Sequence, residues 1–417
     1  MKKLGIIVLA VVLCLGLTAG MAAAQQKVLK VGVLGPYTGP AAKTGEELRN
    51  AALIAFEKIG YKIGDYKIEL VFIDDQSDGA KATNAYSEAI ERQGVQAGYC
   101  NWNSGVTMAV MDVLAQFKVP HFFTMGSSQS IIDKWKSDPK YQYMMTKGWA
   151  VPGKLVQGYV DLLNAAEKKG TFKPASKTAA LYGEDTDWGR DFVAGMEKAL
   201  VAAGWKIASK DFFALTQTDF YPTLSKYKAA NVALVAGTSS SIPSITGLCK
   251  QAAELQLKSV LIADGLSWTG DWYKMVGKAS DGVLDMMPVF ATKEDKEFEA
   301  AYKKKFNSAP SPSAAGMGYN MANAFIHVCK RAYEKYKKLD KETIYNVGKD
   351  ELLTGKLVFT RKDGLLLFNR LRYEPATNPD PVVSPEDWFF PVVQYKEGKP
   401  LVVFPENVKQ ADFVVKK

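Results

Sequence analysis

The sequence predicts an α/β chain folded as two lobes, each a largely parallel sheet flanked by helices. Three observations carry this. Apolar strand-like runs alternate with amphipathic helical runs, the spacing that βαβ units require. The pattern closes near residue 147 and restarts over residues 148–287. Behind an N-terminal leader about 390 residues remain, more than one hydrophobic core normally serves.

Taken in order, Val28 to Leu34 reads as a strand that stops at Gly35-Pro36-Tyr37-Thr38-Gly39-Pro40, before a helix from about Ala42 to Lys58. A second apolar strand ends at Asp74-Asp75. Ser77 or Asp78 then caps a helix to Gln93, with Ala82, Ala85 and Ala89 at helical spacing. Val95 to Tyr99 is a short strand, followed by the loop Asn101-Trp102-Asn103-Ser104-Gly105 and a helix from about Val106. Val119 to Thr124 is the next strand, and Met125-Gly126-Ser127-Ser128-Gln129 its loop. In open α/β sheets such loops at strand carboxyl ends are where ligands bind.

The second unit opens with a helix expected over 148–168. Thr178 to Gly183 is a strand ending in Glu184-Asp185-Thr186-Asp187-Trp188-Gly189, with a helix over 190–203. Strands follow near 207–214, 232–237 and 259–262, the last two ending in Thr238-Ser239-Ser240-Ser241 and Ala263-Asp264-Gly265. Helices over 294–306 and 314–336 return to the first lobe, and a β-rich tail with a proline-marked loop closes the chain.

The leader has Lys2 and Lys3, an apolar run to about Leu17 and Ala22-Ala23-Ala24, the form of a removable secretion signal. Cys14 lacks the small preceding residue that lipid attachment needs, so a mature chain starting near Gln25 is expected. Removing both lysines takes the formal charge from +9 to +7. The remaining lysines are dispersed, with no basic stripe interleaved with aromatics, which argues against nucleic acid. Cys100, Cys249 and Cys329 imply no disulfide framework; Cys249 and Cys329 sit where a cysteine is a small buried hydrophobe.

Catalytic material is scarce. With only His121 and His327 in 417 residues, a histidine triad or a His-rich metal site has little to build on. His121, in VPHFFT, reads as a satisfied interior or edge histidine. Residues 35–44 match a phosphate loop poorly, and Pro139 breaks the turn that would join Ser137 to Lys140. Asp74-Asp75 reads as a pair orienting loop amides rather than as acid and base. No enzyme activity, cofactor or metal is expected.

The blocks VGVLGPYTGPAAKTGEELRNAALIAFEKI, IELVFIDDQSDGAKA, YGEDTDWGRDF, CKQAAELQLKSVLIADG and VVQYKEGKPLVVFP, in this order over nearly the whole mature chain, resemble the type I periplasmic binding proteins for branched-chain amino acids. That resemblance implies two Rossmann-like lobes joined by a three-segment hinge that closes over a ligand. The lobes would be residues 25–147 with 288–352 and 148–287 with 353–417, after a signal over 1–24. It also implies a periplasmic monomer that binds a hydrophobic amino acid, branched-chain or aromatic, and delivers it to the membrane permease subunits of an ABC importer. The rivals are a receptor for aromatic or short-chain carboxylates, amides or urea-like solutes, and a sensory module serving a signalling partner.

Carried over residue by residue, the resemblance assigns the ligand carboxylate to Ser104 and Ser127 and the ammonium to a carbonyl of Met125 or Gly126. Trp188 would cover the ligand. Asp264, about one position early for the family's acid, would be the ammonium's charged partner, and Ser239-Ser240-Ser241 stand where a tyrosine is usual. Thr44 replaces an aromatic before Gly45, while Trp102 enters the next loop, suiting a larger or aromatic ligand. The site set is therefore Thr44, Trp102, Asn103, Ser104, Met125, Gly126, Ser127, Trp188, Ser241 and Asp264.

Overall fold

A computed structural model describes residues 26–415; the expected signal, residues 1–24 with Cys14, lies outside them. The first sheet has strands β1 (Lys27–Gly35), β2 (Lys62–Ile63), β3 (Tyr66–Asp74), β4 (Ala97–Tyr99), β5 (His121–Phe123) and β6 (Met144–Lys147), ordered β2-β3-β1-β4-β5-β6. All neighbours are parallel except the β2–β3 hairpin. The second contains β7 (Thr178–Glu184), β8 (Lys206–Phe213), β9 (Leu234–Thr238), β10 (Val260–Asp264), β11 (Leu284–Met286), β14 (Val392–Lys396) and β15 (Lys399–Phe404). Its order is β15-β14-β11-β10-β9-β7-β8, with β14 and β15 antiparallel at one edge. The two-lobe α/β reading holds. The inner strands read as unbroken apolar runs because helices cover both faces of a parallel sheet.

The helix Ala42–Lys58 falls where its sequence placed it. Asp78 is the cap of Gly79–Glu91, its carboxylate accepting from the Lys81 amide at 2.9 Å. The expected helix over 148–168 was overextended. Residues 144–147 form β6 and the helices run Pro152–Leu155 and Gln157–Lys169. Pro152 explains the delay, since proline suits the first helical position and pushes Val151 to extended backbone (φ −61°, ψ 148°). Helices Gln129–Ser137 and Lys341–Val347 were not singled out from sequence. Cys100, Cys249 and Cys329 are all buried.

Helices Lys293–Phe306 and Met317–Tyr336 pack on the first lobe, where Phe325 stands against Phe56, Tyr99 and Phe122 at ring distances of 5.5–6.5 Å. The segment holding β12 (Phe359–Thr360) and β13 (Arg370–Leu371), expected with the second lobe, packs there too. Its Leu365, Leu366 and Phe368 are apolar and buried, and Asn320 pairs with both the amide (2.6 Å) and the carbonyl (2.8 Å) of Leu366.

The crossovers are tied by a buried ion pair, Lys147 Nζ to Asp380 at 2.8 Å, with Lys154 on the other oxygen at 3.0 Å. The Tyr373 hydroxyl donates to the Lys147 carbonyl at 3.0 Å. Burial lowers the pKa of Lys147, and Asp380 is the charge that opposes this. Such a pair adds little net stability over an apolar substitute, but it resists losing either partner. Beside it Trp149, Phe368, Trp388 and Phe390 form one aromatic cluster, with centroids 4.1–6.2 Å apart.

His121 is a satisfied core histidine. Its Nδ1 lies 2.8 Å from the Tyr86 hydroxyl and its Nε2 lies 2.7 Å from the Cys100 carbonyl. A carbonyl can only accept, so Nε2 carries a proton and donates it in a hydrogen bond, and in the neutral ring Nδ1 accepts from the tyrosine hydroxyl. Gly98 leaves the room, since a Cβ there would meet the Tyr86 oxygen at 2.2 Å. Burial holds the ring at a pKa of about 3. Its contribution to stability is therefore intact above about pH 6.5 and declines as the pH falls toward 3. Between about pH 7 and pH 5 the wild type should lose about 2 kcal/mol more than His121→Gln in urea titrations; equal losses would contradict this assignment.

Candidate functional site

The carboxyl ends of the two sheets face one another, and the loops leaving them enclose a cavity of about 90 Å³. On the first-lobe side, Asn101 lies just past β4 and ties two of these loops together. Its amide donates to Thr107 Oγ1 at 2.5 Å, and its oxygen accepts the Met125 amide at 2.9 Å, joining the loops after β4 and β5. Gly126 adopts φ +80° beside Thr107, whose Oγ1 would lie 2.4 Å from any Cβ. The chain thus turns back, and the amides of Ser127 and Ser128 donate to Ser104 Oγ at 3.0 and 3.3 Å.

That arrangement determines what Ser104 can offer. Its oxygen already accepts two amides, so its own proton remains to be given to a third group. Ser104 lines the cavity at the start of helix Ser104–Phe117, whose cap residue Asn103 makes no side-chain cap bond. A helix start with unsatisfied amides favours an anion, and a hydroxyl donor beside it adds direction.

The opposite wall is acidic. Glu184, the last residue of β7, is buried and lines the cavity. Its oxygens accept from the Thr186 hydroxyl (2.8 Å), the Ser240 amide (2.6 Å) and hydroxyl (2.9 and 3.0 Å) and the Ser239 hydroxyl (3.3 Å). Burial raises its pKa against these donors. Asn103 Nδ2 reaches Ser240 Oγ at 3.4 Å, and the Gln129 amide donates to Asp191 at 2.6 Å, so the lobes touch across the cleft.

Between the two polar ends stand Trp102, Trp149, Trp188 and Trp268. Trp268 is central, with ring centroids 5.4 Å from Trp102, 6.0 Å from Trp149 and 5.8 Å from Trp188, at steep interplanar angles of 83°, 76° and 56°. Trp188 Nε1 donates to Thr238 at 3.0 Å, whereas the buried indole nitrogens of Trp102 and Trp268 have no partner among the described residues. A buried donor left unpaired is costly, so these two suit an acceptor brought in from outside.

Of the residues singled out from sequence, Trp102, Asn103, Ser104, Met125, Gly126, Ser127 and Trp188 line this cavity. Thr44, Ser241 and Asp264 do not. Thr44 is buried within its helix, its hydroxyl donating to the Ala41 carbonyl at 2.6 Å. Ser241 is the buried cap residue of helix Ile242–Glu254. Asp264 lies behind the wall, accepting from the Tyr159 hydroxyl at 2.8 Å, beside the second buried acid Asp285. Burial and the Asp285 charge raise its pKa well above the usual range.

Lining residues outside that set include Glu184, Trp149 and Trp268, which form the acidic end and half of the indole box. Glu184 stands at a strand end within the YGEDTDWGRDF block, where the resemblance points to Trp188 instead. Trp149 follows β6, the unrecognised strand, and Trp268 follows β10 by four residues, so the strand-end rule covers both.

A family model described as periplasmic binding protein matches residues 28–368. The chain belongs to the periplasmic binding protein family. The Leu/Ile/Val-binding protein homolog 6 of Brucella suis biovar 1 is 28% identical over 262 residues; this match spans 62% of each chain, under two thirds of that relative's length. The leucine-, isoleucine-, valine-, threonine- and alanine-binding protein of Pseudomonas aeruginosa is 24% identical over 364 residues, 83% of this chain and 89% of its own. A solute binding protein of an ABC transporter from Rhodopseudomonas palustris BisB5, solved with 3,4-dihydroxybenzoic acid, superposes at a TM-score of 0.72 and 23% identity, covering 94% of this chain and 98% of its own. That likeness shows the shared two-lobed periplasmic binding protein fold. No helix among the described residues of this family member is long and apolar enough to cross a membrane.

Ser104→Ala in this binding protein removes the acceptor of two buried amides. It should lower the unfolding free energy by about 1–3 kcal/mol in chemical denaturation of the ligand-free protein. An unchanged midpoint would mean that the loops after β4 and β5 do not depend on this hydroxyl.

Proposed function

We propose that this chain is the periplasmic receptor of an ABC importer, taking a small hydrophobic amino acid in the cleft and passing it to membrane permease subunits. The observation that carries the reading is the polarity of the cavity. One end gathers donors, the Ser104 hydroxyl and an uncapped helix start, and the other holds the Glu184 carboxylate, with tryptophans between. A zwitterion with an apolar side chain meets all three. Its carboxylate would take the Ser104 and Ser127 end, its ammonium the Glu184 end, and its side chain the indole box. The ammonium role expected of Asp264 thus passes to Glu184, because Asp264 lies outside the cavity.

Closure over the solute strengthens each polar contact by removing water, the reason a receptor of this kind folds as two lobes. The Brucella and Pseudomonas relatives, named for leucine, isoleucine and valine, support this class. Acting as a monomer, the receptor would present both closed lobes to the permease. An enzyme is disfavoured, since the Glu184 carboxylate and its serine and threonine partners are bonded to one another and to a loop amide, holding loops in place.

One observation favours a second reading, an aromatic carboxylate with no amine. Both oxygens of Glu184 are already served by protein donors, and burial raises its pKa, so it does not require a cation. The relative solved with 3,4-dihydroxybenzoic acid has a ligand of that kind.

A thermal-shift series with L-leucine, L-phenylalanine and benzoate separates the two readings, since a ligand of the native state raises the melting temperature by mass action. The amino-acid reading predicts a shift with leucine or phenylalanine that Glu184→Gln removes. A shift with benzoate alone, unchanged in Glu184→Gln, would contradict it in favour of the aromatic acid.

A further inference from the structure

Glu47 lies in the first-lobe helix Ala42–Lys58, outside the cavity, yet it is buried and its partners reach into the cavity's central wall. Its Oε1 accepts the Gly270 amide at 2.6 Å, and its Oε2 accepts the Ser311 amide at 2.7 Å. Gly270 belongs to the second-lobe loop that carries Trp268; Ser311 belongs to the segment that rejoins the first lobe. The loop docks with no spare space. A Cβ at Gly270 would fall 1.8 Å from the Ala309 carbonyl oxygen.

The hydroxyl of Ser311 shows how this junction is balanced. Its oxygen accepts the Ala314 amide at 2.9 Å and stands 2.6 Å from Glu47 Oε2 and 2.7 Å from the Trp268 carbonyl. A hydroxyl has one proton, and here two acceptors lie within reach. With Glu47 ionised, either the carboxylate or the Trp268 carbonyl goes without. With Glu47 protonated, its own proton goes to Ser311 Oγ, the serine proton goes to the Trp268 carbonyl, and both amide bonds remain.

We propose that Glu47 is a positioning residue for the ligand cavity: its protonated carboxyl locks the Trp268 loop of the second lobe onto the first, so that closure takes up one proton. This rests on the reading of the cleft as a solute site. Burial agrees with the geometry, raising the Glu47 pKa to about 7 against the donors of Ser311, Gly270 and Ala315. The surrounding charges do not compensate it. On its own helix Lys43 pairs with Glu46 at the surface; on the docked loop Asp271 pairs with Lys274. Tyr302, bonded to Asn50, is the titratable neighbour from helix Lys293–Phe306, and helix Met317–Tyr336 meets this helix through Gly318 against Leu48 and Ala51.

The sign follows from linkage. A carboxyl whose pKa is raised in the closed state favours closure below that pKa and loses the advantage as pH rises through it. The test uses wild type and Glu47→Gln at about pH 5.5 and 8, with ligand-free small-angle X-ray scattering and calorimetry with L-leucine and benzoate as probes. Wild type should be more compact at the lower pH and bind whichever probe it accepts roughly tenfold more tightly there. E47Q should show no such pH dependence in either measurement, because its side chain does not titrate; with Nε2 donating to Ser311 Oγ it gives up the Ser311 amide, so it should be less compact than wild type in acid. Coincident pH profiles of wild type and E47Q would overturn the proposal. Where neither probe binds, the receptor reading fails for those solutes, and the scattering comparison alone decides for or against Glu47.

Discussion

Trp268 has to be held in the middle of a gap between two separately folded sheets, and much of the molecule is arranged around that requirement. A large indole at the meeting point of two lobes needs its loop fixed from both sides. From the second lobe, Asp285 accepts the amides of Gly265 and Ser267 at 3.2 and 3.3 Å, while Gly265 itself takes φ +109°, a conformation open to glycine. From the first lobe, Glu47 takes the Gly270 amide, and Ser311 meets the Trp268 carbonyl. The other three indoles are placed against this fixed one. The size of the cavity and its steep walls depend on it.

The buried acids share a pattern. Asp75 and Glu184 sit at strand ends, Glu47 at the seam between lobes and Asp285 within β11, and each is met by amide or hydroxyl donors rather than by lysine or arginine. Asp264 is met by hydroxyls alone. Burial raises the pKa of every one of them. Carboxylates used in this way orient loop amides while leaving no competing cation near the site, as buried charges otherwise demand. Lys147, paired with Asp380, carries the contrasting arrangement at the crossovers, where a fixed pivot is needed instead of a recognition surface.

Much of this was readable from residue order. The first helix, the Asp78 cap and the polar loops at 101–105 and 125–129 follow from apolar periodicity interrupted by turn residues, a local signal. Asp74-Asp75 likewise orients amides, Asp75 accepting from Ser77 at 2.8 Å. The strand β6 was hidden because Met144–Lys147 is short and runs into residues of helical composition, and Pro152 moves the helix start later. Thr44 and Asp264 looked like site residues by position in the chain, but whether a side chain faces the cleft or its own helix depends on packing between elements. Glu47 gave no signal at all. Its partners are more than two hundred residues away, and only the approach of the lobes makes it a junction.

Function in this molecule hinges on whether the indole-walled cavity between the strand ends is where the solute sits. A crystal structure of the protein with the solute giving the largest thermal shift decides it. That solute should be enclosed by Trp102, Trp149, Trp188 and Trp268, with its carboxylate on the Ser104 hydroxyl. A solute bound elsewhere, or one in the cleft with its carboxylate turned toward Glu184, would contradict this placement.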